Sequence, residues 1–205
     1  MSNTNFVTIG ISGRKQTGKT TFGDAIQNTI LKHNTATGSD LSSSRYFFAK
    51  PLKEICHILF GGTEANWYGD FKTQHMHAWE GVFSPPTPRN MMQQVGTELF
   101  RDRICDDFWL RVADRYINDM YKASPFDVLV IDDVRFVNEA VFLHKHYGAH
   151  IVNLHRPMAD DDTVTHRSES GLPYNLIDTC FDCTDRTMYD TYVIELLRNI
   201  GVVPK

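Results

Sequence analysis

The chain has no apolar run near the roughly 18 residues that a membrane span would need. Its first residues, Met1 to Asn5, are short and polar and lack the charged and apolar regions of a signal peptide. A cytoplasmic location without membrane association is therefore expected. Cysteine is scarce, at four residues: Cys56, Cys105, Cys180 and Cys183. The Cys180–Cys183 pair has redox or zinc spacing, but no second pair or histidine cluster at matching spacing accompanies it, so buried thiols in a reducing compartment are the expectation. Positive charge is not in excess either. The net charge is −4, which argues against sequence-independent nucleic-acid binding. It does not exclude a small anionic substrate held by local cations. Repeats and low-complexity tracts are absent, and the length of 205 residues suits a single domain with a substantial core.

What is present alternates between two periods. Asn5–Ser12 is a short β-rich apolar run ending at a glycine turn. Lys19–His33 then places Phe22, Ala25, Ile26 and Ile30 at helical spacing. The polar stretch His33–Ser44 reads as a surface loop. Arg45–Ala49 is a second strand candidate, followed by a helix near Pro51 with Leu52, Ile55, Cys56 and Leu59 on one face. Residues 61–88 are long and mixed, with a helix expected near Trp67–Glu80 and a substrate flap as one reading of the whole. Thr87 and Pro88 make a helix start, as N-cap and first residue. Met91, Met92, Val95 and Leu99 follow at helical spacing, and another one-sided helix runs from Asp107. Asp127–Asp132 is a continuous apolar run suited to a strand buried on both faces. A helix from Phe136 to Tyr147 ends at Gly148, and Ala149–His155, Thr179–Cys183 and Met188–Ile200 supply two more strands and a closing helix. Five strands alternating with helices predict a parallel α/β sheet.

Gly13-Arg14-Lys15-Gln16-Thr17-Gly18-Lys19-Thr20 satisfies G-x-x-x-x-G-K-[ST], with the required strand before it and helix after it. Glycines let backbone N–H groups curl inward onto phosphate oxygens, and a helix start adds its dipole and unpaired donors. Lys19 would place a full charge on the β- and γ-phosphates, and the Thr20 hydroxyl would ligate magnesium. The metal-side carboxylate is expected after the Val128–Ile131 strand, at Asp132-Asp133, with Asp133 favoured and the other aspartate free to cap a helix. No N-K-x-D guanine-reading motif is present. Basic residues recur at segment ends: Lys50, Lys53, Lys72, Arg89, Arg135, Arg156 and Arg167. Such cations suit an acceptor that is itself a phosphate monoester. With a second pKa near 6, that acceptor is already deprotonated and needs positive charge more than a general base.

Taken together, I-S-G-R-K-Q-T-G-K-T-T (11–21), F-A-K-P-L-K-E (48–54), Y-G-D-F-K (68–72), P-R-N-M-M-Q-Q-V-G-T-E (88–98), D-F-W-L-R (107–111), I-D-D-V-R-F-V-N-E-A (131–140), H-R-P-M (155–158) and T-H-R-S-E-S-G-L-P (165–173) resemble the bacteriophage-type deoxynucleoside monophosphate kinases, within the P-loop nucleoside monophosphate kinases. The resemblance implies a three-layer α/β/α P-loop fold with a mostly parallel five-stranded sheet, one domain over 1–205, a substrate-side insertion over 61–88 and a lid over 156–170. It implies Mg-ATP held by Gly13 to Thr21, Arg156 and Arg167, with His166 and Glu169 near by. Lys53, Lys72, Arg89, Gly96, Thr97, Trp109 and Glu169 would meet the acceptor, Lys19, Asp133 and Arg135 would serve transfer, and Thr20 and Asp133 the metal. Trp109 offers either a stacking surface or core packing. The partners implied are small nucleotides, in a host cytoplasm if the chain is phage-encoded; whether it forms a homodimer is left open.

Three departures from the pattern stand out. Thr20 and Val137 occupy positions where relatives often carry Asp and Pro, and Lys50 one where a small or acidic residue is usual. Other readings stay open: a phosphomevalonate-like kinase, a kinase for a modified base in DNA, or an ATP-binding switch without turnover.

Overall fold

The computed structural model describes residues 5–14, 17–155 and 171–204. Strands β1 (Val7–Ser12), β2 (Ser43–Tyr46), β3 (Val128–Val134), β4 (His150–His155) and β5 (Thr179–Asp182) form one sheet in the order β2-β3-β1-β4-β5. Every neighbouring pair is parallel. That agrees with the apolar run at 128–131, whose four residues are all buried. The chain divides into two compact units, residues 1–47 with 117–205 and residues 48–116.

The sheet belongs to the first unit. On one of its faces α1 (Lys19–Thr37) and α7 (Tyr189–Asn199) pack Phe22, Ile26, Ile30, Val193, Leu196 and Leu197 against Ile9, Ile11, Val130, Val152 and Leu154. On the other lies α6 (Val137–Tyr147). There the contact is close at Gly10, where an added Cβ would come within 2.5 Å of Ile151 and 3.5 Å of Leu143. The layers are therefore helix, sheet, helix. α1 runs four residues past its expected end at His33, into the polar stretch read as loop, and Gly38 closes it there in the left-handed conformation, donating its N–H to Asn34. β2 in turn begins two residues before Arg45 and stops at Tyr46, since Phe48 already has helical torsions at the start of α2 (Ala49–Phe60).

The second unit is helical. α2, α3 (Glu64–Trp67) and α4 (Pro88–Gln93) enclose Cys56, Trp67, Met91 and Val95, with Leu52, Phe60, Met76, Trp79 and Phe83 packed around them. Instead of one helix over 67–80 there are α3 and two 3₁₀ turns, at Asp70–Thr73 and His77–Trp79. The indoles of Trp67 and Trp79 donate to the carbonyls of Gly61 and Phe60, both at 2.9 Å, which fixes the segment without a long helix. α4 starts as expected, with Thr87 accepting from the Asn90 N–H. It then widens into a π-helical stretch, Gln94–Ile104. The extra residue per turn rotates the helical stripe, so Leu99 is 45% exposed and Phe100 packs in its place. The first nine residues of α5 (Phe108–Ala123) also belong to this unit, and those from Ile117 on to the first.

No helix among the described residues is long and apolar enough to cross a membrane. All four cysteines are unpaired. Burial pushes the Cys56 thiol up to about 12 and raises that of Cys183 as well. A thiol reagent at neutral pH should therefore modify the exposed Cys180 first and the half-buried Cys105 more slowly. Cys56 and Cys183 should react only after denaturation. Mass mapping of the labelled peptides checks this.

Candidate active site

The P-loop joins β1 to α1. Gly13 (φ 144°) and Gly18 (φ 88°) both lie at positive φ, where a side chain is strained. Space forbids one too. A Cβ on Gly13 would lie 2.7 Å from the Leu154 carbonyl, and one on Gly18 would lie 2.5 Å from the Tyr189 hydroxyl. Between them the turn is tied by Thr17, buried, whose hydroxyl donates to the Arg14 carbonyl at 2.8 Å. Tyr189, at the start of α7, donates its hydroxyl to the Thr17 carbonyl at 3.0 Å. Lys15 and Gln16 lie outside the described residues.

Lys19 Nζ donates to the carbonyls of Gly13 (2.6 Å) and Arg14 (2.8 Å). These bonds hold the ammonium across the loop instead of letting it extend into solvent. No described side chain caps α1 at Gly18, and its first turn carries no acid. The helix start therefore presents its dipole and backbone donors, under a fixed positive charge, to whatever binds there. Thr20 and Thr21 sit exposed in that first turn.

The carboxylates arrive through the sheet register. Gly10 pairs with Ile131 and Ser12 with Val134, so Asp132 and Asp133 together oppose the single residue Ile11. This bulge brings both aspartates beside the strand end from which the P-loop departs. Bulges next to active sites commonly re-aim side chains in this way. Asp132, buried, forms an ion pair with Arg45, which also pairs with Asp24 and reaches the Thr20 carbonyl. Burial opposes the Arg45 charge, but Asp132 and Asp24 outweigh it and raise the guanidinium above its ordinary value. Asp132 is thus already matched to a cation beside α1. Asp133 is half-buried on the alternate side of the strand.

Arg135 follows directly. Its backbone N–H and that of Phe136 both donate to Glu139, at 2.8 and 3.1 Å, and Glu139 is only 2% exposed. This buried carboxylate fixes the chain where β3 gives way to α6. Glu139→Ala would leave two N–H groups without their charged acceptor. It should lower stability by about 2 kcal/mol and reduce kcat more than it raises either KM, because Arg135 loses its fixed backbone. Denaturant titration and steady-state kinetics check both parts, and Glu139→Gln, which keeps an acceptor oxygen, should recover most of the loss.

In the second unit, Lys53 lies over the Tyr68 ring at 4.9 Å and Lys50 over Tyr116 at 5.2 Å. Tyr116 donates to Glu54 at 3.2 Å. Desolvation, then Glu54, raises the phenols of Tyr68 and Tyr116. Lys72 sits half-buried in the first 3₁₀ turn. Arg89 is in the first turn of α4, and its Nε is buried without a hydrogen-bond partner among the described residues.

Gly96 and Thr97 lie in the π-helical stretch. A Cβ at Gly96 would meet Leu52 at 2.5 Å, so this glycine lets that stretch close on α2. Trp109 is 3% exposed, donates to the Gly96 carbonyl at 2.8 Å and packs on Phe100 and Phe108. Arg156, His166, Arg167 and Glu169, and the lid expected over 156–170, lie outside the described residues.

Arg45, Glu139 and Tyr189 were not among the residues singled out from sequence. Glu139 stands in the D-V-R-F-V-N-E-A segment and could have been found as the acid three residues into a helix. Arg45 and Tyr189 act through contacts distant in sequence and carry no local signal.

A parallel α/β/α sheet, a lysine-crossed glycine loop at the end of its first strand and carboxylates at the neighbouring strand end are the features of a P-loop nucleotide-binding protein. Comparison with known proteins narrows this. The sequence model for deoxynucleotide monophosphate kinases matches residues 84–188. A protein of Acanthamoeba polyphaga mimivirus, provisionally named a deoxynucleotide monophosphate kinase, is 33% identical over 176 residues, covering 81% of this chain and 82% of its own. The deoxynucleoside-5'-monophosphate kinase of Escherichia phage T5 is 26% identical over 227 residues, covering 83% of this chain and 87% of its own. The chain belongs to the deoxynucleotide monophosphate kinase family. A solved sugar kinase from Janibacter sp. superposes with a TM-score of 0.47 at 13% identity over 97% of this chain and 96% of its own, a likeness too slight to bear on function.

Proposed function

We propose that the chain transfers the γ-phosphoryl group of ATP to a deoxynucleoside monophosphate, giving ADP and a deoxynucleoside diphosphate. The observation that carries this reading, beyond family membership, is the Lys19 ammonium held over the uncapped start of α1 by the Gly13 and Arg14 carbonyls. In this reading Gly13 to Thr21 hold the triphosphate. Lys19 neutralises charge on the β- and γ-phosphates as it spreads in the transition state.

The donors fit a hard cation, since a hydroxyl and a carboxylate are the oxygen ligands that magnesium takes. Thr20 and Asp133 would hold it. Asp133 is the aspartate that the family resemblance assigns to the metal, while Asp132 is paired with Arg45. When bound, the ion supplies further positive charge to the phosphates. Arg135, aimed by Glu139, adds a cation at the transfer centre.

On the acceptor side, Lys53, Lys72 and Arg89 supply the charge that lets a second anion bind. Thr97 supplies a hydroxyl, and Gly96 and Trp109 hold the frame. No general base is required, because the acceptor phosphate, with a second pKa near 6, is mostly a dianion at neutral pH. Arg156, Arg167 and Glu169 are assigned to the lid from the family resemblance.

A coupled ADP-release assay across dGMP, dTMP, dCMP, dAMP, hydroxymethylated pyrimidine monophosphates and phosphomevalonate tests the proposal. Turnover with at least one deoxynucleoside monophosphate supports it. Turnover with phosphomevalonate alone, or with no acceptor, overturns it.

A further inference from the structure

Residues 75–80 present a constellation that the kinase chemistry does not use. The turn is tied by backbone bonds from Trp79 to Met76 (3.0 Å) and from Glu80 to His77 (3.2 Å), and Met76 itself donates to the Pro86 carbonyl at 2.8 Å. Met76 and Trp79 pack inward with Phe60 and Phe83, the rings of Phe60 and Trp79 meeting edge-on at 5.0 Å. That inward packing leaves His75, His77 and Glu80 on the solvent side, with side chains 45%, 84% and 57% exposed.

The three converge. Glu80 Oε1 lies 2.7 Å from His77 Nδ1 and 3.5 Å from His75 Nδ1. One ligand atom from each residue lies within 4.8 Å of the others, and the two imidazole rings are 4.7 Å apart. Ligands at zinc bond lengths in a tetrahedron stand about 3.3 Å from one another, so small rotations about the side-chain bonds would complete the set.

We propose that His75, His77 and Glu80 form a surface site for a zinc-class divalent ion, with solvent completing its coordination. Two imidazoles and one carboxylate select borderline first-row metals over magnesium, which prefers oxygen ligands alone. The ion would staple the 75–80 turn to itself. The residues that anchor the turn, Met76 and Trp79, remain in the apolar cluster and need not move. The site shares no residue with the Thr20 and Asp133 oxygens assigned to magnesium, so its occupancy can be read without any turnover.

The test is calorimetric titration of untagged protein with zinc ion in millimolar magnesium. One equivalent should bind in the micromolar range. His77→Ala and Glu80→Gln should each weaken binding at least tenfold, while His146→Ala, an exposed histidine elsewhere, leaves it unchanged. Cobalt bound to the same protein should show visible absorption that both site variants lose. Because all three ligands are exposed, neither substitution should disturb the fold, and far-ultraviolet circular dichroism confirms this for each variant. Absence of zinc uptake by the wild type, or uptake that His77→Ala and Glu80→Gln leave intact, would overturn the proposal.

Discussion

Lys19→Ala should lower kcat/KM for phosphoryl transfer by about a thousandfold, or roughly 4 kcal/mol of transition-state stabilisation. The ammonium is a full positive charge that the P-loop itself fixes over the start of α1, by its bonds to Gly13 and Arg14. Charge placed in advance acts where phosphoryl transfer most needs it, on the bridging and terminal oxygens of the donor. Lys19 is one of several ties on the loop. Thr17, Tyr189 and the two positive-φ glycines hold it, so the variant should fold with near wild-type stability. Initial rates in the ADP-release assay and a thermal melt, measured on the same preparation, check both halves. A variant that folded normally and turned over at more than a tenth of the wild-type rate would remove Lys19 from the transfer step.

Arg89→Ala should raise the KM for the deoxynucleoside monophosphate by about thirtyfold to a hundredfold, and leave the KM for ATP within about twofold. The physical reason lies in the Nε of this side chain, buried without a hydrogen-bond partner among the described residues. Leaving such a donor unsatisfied costs about 1–3 kcal/mol, a cost that a bound phosphate would offset. The same argument gives a second, opposite readout. If Arg89 serves a ligand, its removal should leave the stability of the ligand-free protein unchanged or slightly increased, whereas a structural arginine would lower it. Parallel kinetics and denaturant unfolding separate the two.

The parts of this fold legible from sequence were those governed by local chemistry. Val128–Ile131 fits a strand buried on both faces because its apolar run is short and mostly β-branched; Thr87-Pro88 starts a helix because of what Thr and Pro do to backbone donors; Gly148 ends one because it takes the left-handed conformation without strain. The glycine loop was legible for the same reason. What escaped depends on neighbours remote in sequence. The π-helical stretch that turns Leu99 outward arises where Gly96 closes on Leu52, and no periodicity in residues 91–99 announces that. Tyr189 supports the P-loop from 172 residues away. Arg45 looked like the first residue of a strand, yet it pairs with Asp132, 87 residues away in sequence. Trp109 lay on an apolar stripe and also in a family motif, and its bond to the Gly96 carbonyl, thirteen residues away, carries no local signal.

The most direct measurement is phosphorus-31 NMR of the protein mixed with Mg-ATP and a deoxynucleoside monophosphate. The account predicts that the γ-phosphate resonance of ATP disappears while the resonances of ADP and of a new deoxynucleoside diphosphate grow together in equal amounts, and that the same conversion is about a thousandfold slower with Lys19→Ala. Release of inorganic phosphate with no deoxynucleoside diphosphate formed, for every acceptor tried, would contradict it.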